Sequence, residues 1–376
     1  MSQVLDLNTS KKNKLISFLQ VGPGIGPITN NNFRFAKALH ERGYDVDMVG
    51  TKVSKDVCAK APKFVNVVDL NVSLSFQYVA PIVSYLNTRS PEAIFCSGPT
   101  THITCGLARM ISRYKGSVVY RSHIETSLYL SERSWLNRTI LLSLMRKTKN
   151  LCDYNVAASR GAADDLAQCL KIASSEVNVL YNPCIDDDML ELSNQHIDHK
   201  WLVSKDCPVI ITAARLADQK SIDVLLKAFQ IVLTTHDARL IILGDGPLRD
   251  ELIELADLLE ISEKVDFAGH VGNPYAYMRQ ADLFVLSAKY EGFANVVAEA
   301  LAVGCPVVST DAPSGPREIL RDGEFGQLVP VGNYDALAKA MIQSLFSSNE
   351  NQRLKERGRA FHAERLVDDL LCFVNK

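Results

Sequence analysis

The chain has 376 residues, with 41 Lys and Arg against 43 Asp and Glu for a net charge of −2. At roughly 100 to 200 residues per domain, that length predicts two domains or three. A composition of 47% hydrophobic and 22% charged residues excludes a disordered, collagen-like or coiled-coil chain. The near-neutral balance argues against nucleic acid as the main partner, while leaving room for one local basic surface. No apolar run approaches the ~18 residues of a membrane span, and the first residues lack the apolar core of a signal peptide, so a cytoplasmic protein is expected. Nine cysteines, an odd number without a Cys-x-x-Cys pair, read as reduced core thiols. His196 and His199, in a polar stretch without neighbouring cysteines, give poor support for zinc, and no metal site is expected.

Short β-branched or apolar runs alternate with longer helical patterns, an order that predicts a parallel α/β fold. In the first half the predicted strands are 15–21, 44–50, 64–70, 93–97, 117–121 and 154–158. A glycine-rich turn, VGPGIGP (21–27), precedes a helix predicted over 30–43, where Phe33, Ala36 and Leu39 recur at helical spacing, an asparagine run caps the start and Gly43 ends it. A dinucleotide fingerprint is the rival reading of that turn. Gly22, Gly24 and Gly26 alternate without the later spacing it needs, so NAD binding is not expected. His123, with Arg121 and Glu125 beside it, lies just past strand 117–121; it is either a ligand-facing group at a strand's carboxyl end or a structural histidine. Residues 133–149 form a basic amphipathic pattern, with Arg133, Arg138, Arg146, Lys147 and Lys149 around Trp135, Leu136, Ile140, Leu141, Leu142, Leu144 and Met145. Such a helix either lies on an anionic lipid leaflet or buries its wide apolar side in the core.

Pro183 and the acidic run after it interrupt periodicity, which places a domain boundary near residue 185. The domains are then 1–185 and 186–360, each a Rossmann-like doubly wound unit, facing one another across a shared cleft at the carboxyl ends of their strands. The second half repeats the alternation with strands at 208–213, 239–244, 264–269, 282–287, 306–310 and 326–330. After the first of these, Arg215 and Lys220 lie five residues apart, two cations suited to a diphosphate or simply a solvated loop. LGDGPL (243–248) is a glycine-bracketed turn in which Gly244 lets backbone approach a ligand. Glu291 precedes a helix start at 293–296, whose free amides suit a phosphate, and Glu299 follows seven intervening residues later in an apolar helix. A carboxylate there is paired, bound to ligand hydroxyls, or part of an exposed stripe. Ser314, Gly315 and Pro316 open another short helix, a second candidate phosphate-facing terminus unless Pro316 and Glu318 merely start and cap it.

From Val265 to Pro330, with the spacing of Glu291 and Glu299, the chain resembles the retaining GT-B glycosyltransferases of family four, and the segment from Arg215 to Lys220 resembles that family's diphosphate loop. The resemblance implies the GT-B fold and transfer of a sugar, with retained anomeric configuration, from a nucleotide sugar, most often a UDP-hexose or UDP-N-acetylhexosamine. The acceptor it implies is a glycan or lipid-linked molecule of cell-surface polysaccharide or lipopolysaccharide synthesis, at the cytoplasmic face of the membrane. It implies no cofactor or metal beyond the donor, because side chains hold the diphosphate. Carried over residue by residue, Arg215 and Lys220 neutralise the diphosphate and Glu299 holds the ribose hydroxyls. Glu291 and His123 sit near the transferred sugar, backbone at Phe293, Ala294 and Asn295 holds the distal phosphate, and residues 267–271 border the base. Gly26 stands at the first glycine of the family's first-domain pair, with Pro27 at the second. Ser221 replaces a common glycine after the lysine, a change that a helix-capping residue is expected to tolerate. The last helix, 361–376, resembles one that crosses back to the first domain. Two rivals remain: a GT-B sugar-nucleotide epimerase or hydrolase, and a catalytically degenerate scaffold.

Overall fold

A computed structural model describes residues 13–22, 24, 26–72, 77–347 and 351–374. Strands β1 (Leu15–Gln20), β2 (Asp45–Gly50), β3 (Val65–Asp69), β4 (Ala93–Ser97), β5 (Ser117–Ser122), β6 (Tyr154–Ala157) and β7 (Val177–Val179) form one sheet in the order β3-β2-β1-β4-β5-β6-β7. Strands β8 (Val209–Ala213), β9 (Arg239–Leu243), β10 (Val265–Gly269), β11 (Leu283–Leu286), β12 (Val307–Thr310) and β13 (Gln327–Val329) form a second, in the order β10-β9-β8-β11-β12-β13. Neighbours run parallel, as in β1 on β2 and β8 on β9, and the central strands are buried on both faces, which is why they read as unbroken apolar runs. The sequence anticipates every strand except β7. That strand spans only three residues, Val-Asn-Val, too few to show a period.

Each sheet order reverses once, between β1 and β4 and between β8 and β11. The loops leaving the carboxyl ends of strands at such a reversal part company and open a crevice, the usual ligand position in doubly wound sheets. In the first sheet the loop after β1 carries Gly26. In the second, the loops after β8 and β11 carry Arg215 with Lys220, and Glu291.

The described helices that matter for the site are α1 (Pro27–Glu41), α2 (Trp135–Thr148), α3 (Arg160–Leu170), α4 (Ile222–Leu233), α5 (Asn295–Val303), α6 (Pro316–Ile319), α7 (Asn351–Arg359) and α8 (Ala363–Leu371). Helix α1 starts three residues before its expected place, because Pro27 occupies the first helical position, where a missing N–H costs nothing. Helix α5 is apolar nearly all round because it is covered on both sides. Val297, Ala298, Ala300 and Leu301 are fully buried, and α7 packs so closely that a Cβ on Gly358 would lie 2.4 Å from the Ala302 backbone.

Two compact units emerge. One comprises the described residues through Tyr120 with Lys147–Tyr154 and the end of the chain from Leu371; the other comprises Arg121–Arg146 and Asn155–Leu370. The second unit thus holds the loop after β5, strand β7 and the whole second sheet. Near the expected boundary Ile185 bridges to His362, with Ala363 N donating to Ile185 O at 2.8 Å. Of the cysteines, Cys96, Cys105, Cys152, Cys184 and Cys305 are buried, whereas Cys58 and Cys372 are exposed and Cys169 and Cys207 half-buried, so the expectation of core thiols holds for five of the nine.

Candidate active site

Three loops of the second unit are laced together by backbone bonds. Leu216 N donates to Asp245 O at 3.0 Å, Leu248 N to Leu216 O at 3.0 Å, and Gly244 N to Gly269 O at 2.7 Å. The glycines permit this approach: a Cβ on Gly244, whose φ is +123°, would sit 1.9 Å from the Ala214 carbonyl oxygen. Arg215, Gly244, Asp245, His270, Val271 and Pro274 border a cavity of about 290 Å³ formed there. Gly244 is therefore required for loop packing, and the structure brings it together with Arg215 and the 267–271 segment. Arg215 is exposed and has no ion-pair partner among the described residues.

Lys220 takes a different position. Its Nζ lies 2.5 Å from Glu291 Oε1, in a pair that is mostly buried. Ser287 Oγ donates to the Lys220 carbonyl at 2.8 Å, and Gln219 Nε2 to that of Tyr290 at 2.9 Å, so the loops after β8 and β11 are clamped edge to edge. Glu299 is 8% exposed, which removes the exposed-stripe reading.

The helices that open onto these loops start from strained residues. Ser221, before α4, has φ +46° and ψ +49°, and Ala294, before α5, has φ +68° and ψ +57°. Non-glycine residues pay for the left-handed region, and such strain collects at functional sites. The expectation that Ser221 serves as a helix cap fails. Its side chain caps no amide of α4 and its Oγ reaches only Asp218 O at 3.5 Å, so the glycine common at this position would be the unstrained residue. Helix α5 begins at Asn295. Phe293 is buried, packing against Tyr181 and Phe361 at ring separations of 5.5 and 5.3 Å.

His123, buried just past β5, meets the same loop. A Cβ on Gly292 would fall 2.1 Å from the His123 carbonyl oxygen, so only glycine lets Glu291 and Phe293 flank that histidine. Burial, reinforced by the neighbouring Arg121 guanidinium, holds the imidazole well below its usual pKa and keeps it neutral. Ser159 Oγ donates to Gly292 O at 3.0 Å and accepts from Ala162 N at 3.2 Å, capping α3. Glu125 accepts from Ser314 Oγ at 2.6 Å. Glu318 does not cap its own helix: its carboxylate accepts from Arg160 N at 2.9 Å, Gly161 N at 3.1 Å and Tyr181 Oη at 3.1 Å, sealing the N-terminus of α3. Helix α6 itself is only four residues long, too short to offer the second phosphate terminus expected from Ser314 to Pro316.

Lys220 thus pairs with Glu291, and the loop from Glu291 to Asn295 passes His123 at Gly292, while Arg215 and Gly244 line the cavity. Gly26 belongs to the other unit. It precedes α1 with extended backbone, φ −173°, and a Cβ there would meet nothing within 4 Å. Sequence reasoning passed over Asn182, Ser159 and Tyr181. Their partners lie up to 137 residues away, and nothing in their own neighbourhoods marks them.

Residues 193–361 match the family described as glycosyl transferases group 1, and residues 31–187 match glycosyltransferase family 4. The chain is 31% identical over 278 residues, covering 71% of it and 72% of the relative, to the N-acetylgalactosamine-N,N'-diacetylbacillosaminyl-diphospho-undecaprenol 4-alpha-N-acetylgalactosaminyltransferase of Campylobacter jejuni. It is 23% identical over 354 residues, 92% of each chain, to the N-acetyl-alpha-D-glucosaminyl L-malate synthase of Bacillus anthracis. Among solved structures, Anabaena Alr3699/HepE in complex with UDP and glucose superposes with a TM-score of 0.75 at 19% identity, covering 95% of this chain and 98% of that one.

The neutral state of His123 has a thermodynamic consequence. A base whose folded pKa lies below its unfolded value near 6.5 binds protons mainly in the unfolded chain, so its contribution is complete above that pH and is lost as pH falls below it. Melting temperatures measured from pH 7.5 down to 5.5 are expected to drop more steeply for the wild type than for His123→Gln; parallel curves would contradict the assignment.

Proposed function

The chain belongs to the group 1 glycosyltransferases and has their GT-B fold, and on that premise we propose that it transfers a hexose or N-acetylhexosamine from a UDP-sugar to a glycan or lipid-linked acceptor, with retention of anomeric configuration. One observation carries this reading: at the strand-order reversal of the second sheet, Lys220 pairs with Glu291, four residues before α5 begins, and Arg215 of the same loop as Lys220 lines a cavity. Cations and a helix N-terminus suit a diphosphate, and a buried carboxylate suits hydroxyls. UDP as the nucleotide is supported by the UDP bound in the Anabaena structure, and a lipid-linked acceptor by the name of the Campylobacter relative.

In this reading, breaking the bond between sugar and phosphate places charge on the departing diphosphate, and Arg215, Lys220 and the α5 amides stabilise it more in the transition state than in the ground state. Lys220 enters already paired with Glu291, so the incoming diphosphate competes for the ammonium and frees the carboxylate to take sugar hydroxyls. Glu299, buried in the second turn of α5, holds the ribose. Neutral His123 donates to or accepts from the transferred sugar without adding charge. Retention follows from attack on the face the diphosphate leaves, with a donor phosphate oxygen receiving the acceptor's proton.

A lipid-linked acceptor brings the enzyme to a membrane surface, and α2 has the face for it. Leu136, Ile140 and Leu144, four apart and therefore on one side of the helix, are 58%, 50% and 42% exposed, and Trp135 is 77% exposed. Arg133, Arg138 and Lys147 are exposed around them. Met145 is buried, but this stripe of the apolar side is left outside the core, and cations around an exposed apolar stripe match an anionic leaflet at about 1 kcal/mol per basic residue. Among the described residues, no helix is long and apolar enough to cross a membrane.

Two measurements test the proposal. With a UDP-sugar and a lipid-linked acceptor, the product should keep the donor's configuration, and Lys220→Ala, with its fold verified, should lose about a hundred- to a thousandfold in kcat. An inverted product, turnover of the donor without any acceptor, or a rate near wild type in the variant would each refute it. In flotation assays the protein should bind phosphatidylglycerol vesicles and not phosphatidylcholine ones, and the triple change of Leu136, Ile140 and Leu144 to Ser should abolish that binding at unchanged melting temperature; binding indifferent to lipid charge or to the triple change sinks the membrane contact.

A further inference from the structure

We propose that Asn182 is a positioning residue for sugar transfer, its single carboxamide fixing Asn295 at the start of α5 in relation to His123 past β5. The inference rests on the reading of His123 and the α5 terminus as donor contacts. Asn182 is buried in the segment between β7 and the Ile185 bridge. Arg121, fully buried within β5, donates through Nη2 to Asn182 Oδ1 at 2.9 Å and to the carbonyls of Leu180 and Tyr181, each at 3.3 Å. A guanidinium has no acceptor, so the amide atom facing it is the oxygen, and the orientation of Asn182 is set by chemistry. Its Nδ2 therefore faces Asn295 and donates to Oδ1 at 3.0 Å. Asn295 then accepts through its own oxygen, which turns its Nδ2 away as a donor. His123 follows Arg121 by two residues, and the Arg121 guanidinium acts on its imidazole.

One amide thus joins a residue of β5, two positions before His123, to the first residue of α5. Holding β5 to the 180–182 segment does not require it, because the Leu180 and Tyr181 carbonyls already take the Arg121 guanidinium. What the side chain adds is a link from Arg121 to Asn295, 113 residues beyond Asn182 in the chain. A buried polar link of this kind favours one geometry, and misplacement of a reacting group by about 1 Å can cost on the order of 100-fold in rate.

The test compares kcat and KM for UDP-sugar turnover in Asn182→Ala, Asn182→Asp, His123→Ala and the double variant Asn182→Ala/His123→Ala. The aspartate variant keeps an acceptor for Arg121 but cannot donate to Asn295, so it isolates the link even if the alanine variant folds poorly. Asn182→Ala and Asn182→Asp should each lose about 10- to 100-fold in kcat with little change in KM, and the alanine change should cost less than about threefold further when His123 is already alanine. Wild-type kcat in both Asn182 variants beside an impaired His123→Ala would overturn the inference, as would losses that multiply in the double variant, or a lowered melting temperature with kcat per folded molecule intact. A fully active His123→Ala would instead remove the donor-site reading, and the inference with it.

Discussion

The ion pair between Lys220 and Glu291 joins the two loops that diverge where the second sheet reverses its strand order. Strands β8 and β11 are neighbours, but their connections lead to opposite sides, so something must hold the loop ends together across the gap. Ser287 on the Lys220 carbonyl and Gln219 on that of Tyr290 fix the backbone, and the ion pair fixes the side chains. A partly buried pair of this kind adds little net stability, because desolvation offsets most of the attraction, but losing either partner leaves the other charge stranded. Its value lies in keeping a cation and a carboxylate desolvated, opposite in sign and ready to separate. The start of α5, the glycine contact with His123 and the cavity beside Arg215 are arranged around that clamp.

Packing at the site is governed by the backbone more than by side-chain bulk. Gly244 and Gly292 are positions where another chain segment's carbonyl occupies the space of a Cβ, and each draws a candidate ligand-binding residue against its neighbour. The strain at Ser221 and Ala294 has the same origin. Both helices must start abruptly from a loop pinned against another loop, and the residue at the junction absorbs the bend. The covering of α5 by α7, down to backbone contact at Gly358 and Ala302, supplies the rigidity against which that strain can be held.

Strands were legible because a parallel sheet buried on both faces demands apolar runs, and the candidate site in the loops after β8 and β11 was visible because charged residues at strand ends stand out against those runs. The left-handed backbone at Ser221 was not legible, since serine is a frequent helix cap and only the observed φ separates the two roles. The partner of Glu318 was hidden for another reason: a carboxylate in the first turn of a helix looks like a local cap, while the amides it accepts from are those of Arg160 and Gly161, 158 and 157 residues earlier. The exposed face of α2 lay in between. The pattern showed a broad apolar side, and only the burial of Met145 beside the exposure of Leu136, Ile140 and Leu144 reveals how that side is divided. Asn182 carried no signal at all, because an asparagine before a proline reads as an ordinary turn.

Glu318 also changes what a dissolved anion finds in this protein. The amino end of α3, 11 residues long, has the dipole and free amides that attract phosphate, but a carboxylate belonging to the chain already occupies it and is held there by the Tyr181 hydroxyl. An internal anion permanently seated on one helix end acts as a decoy filled in advance, so a charged metabolite diffusing in gains nothing by lodging at α3.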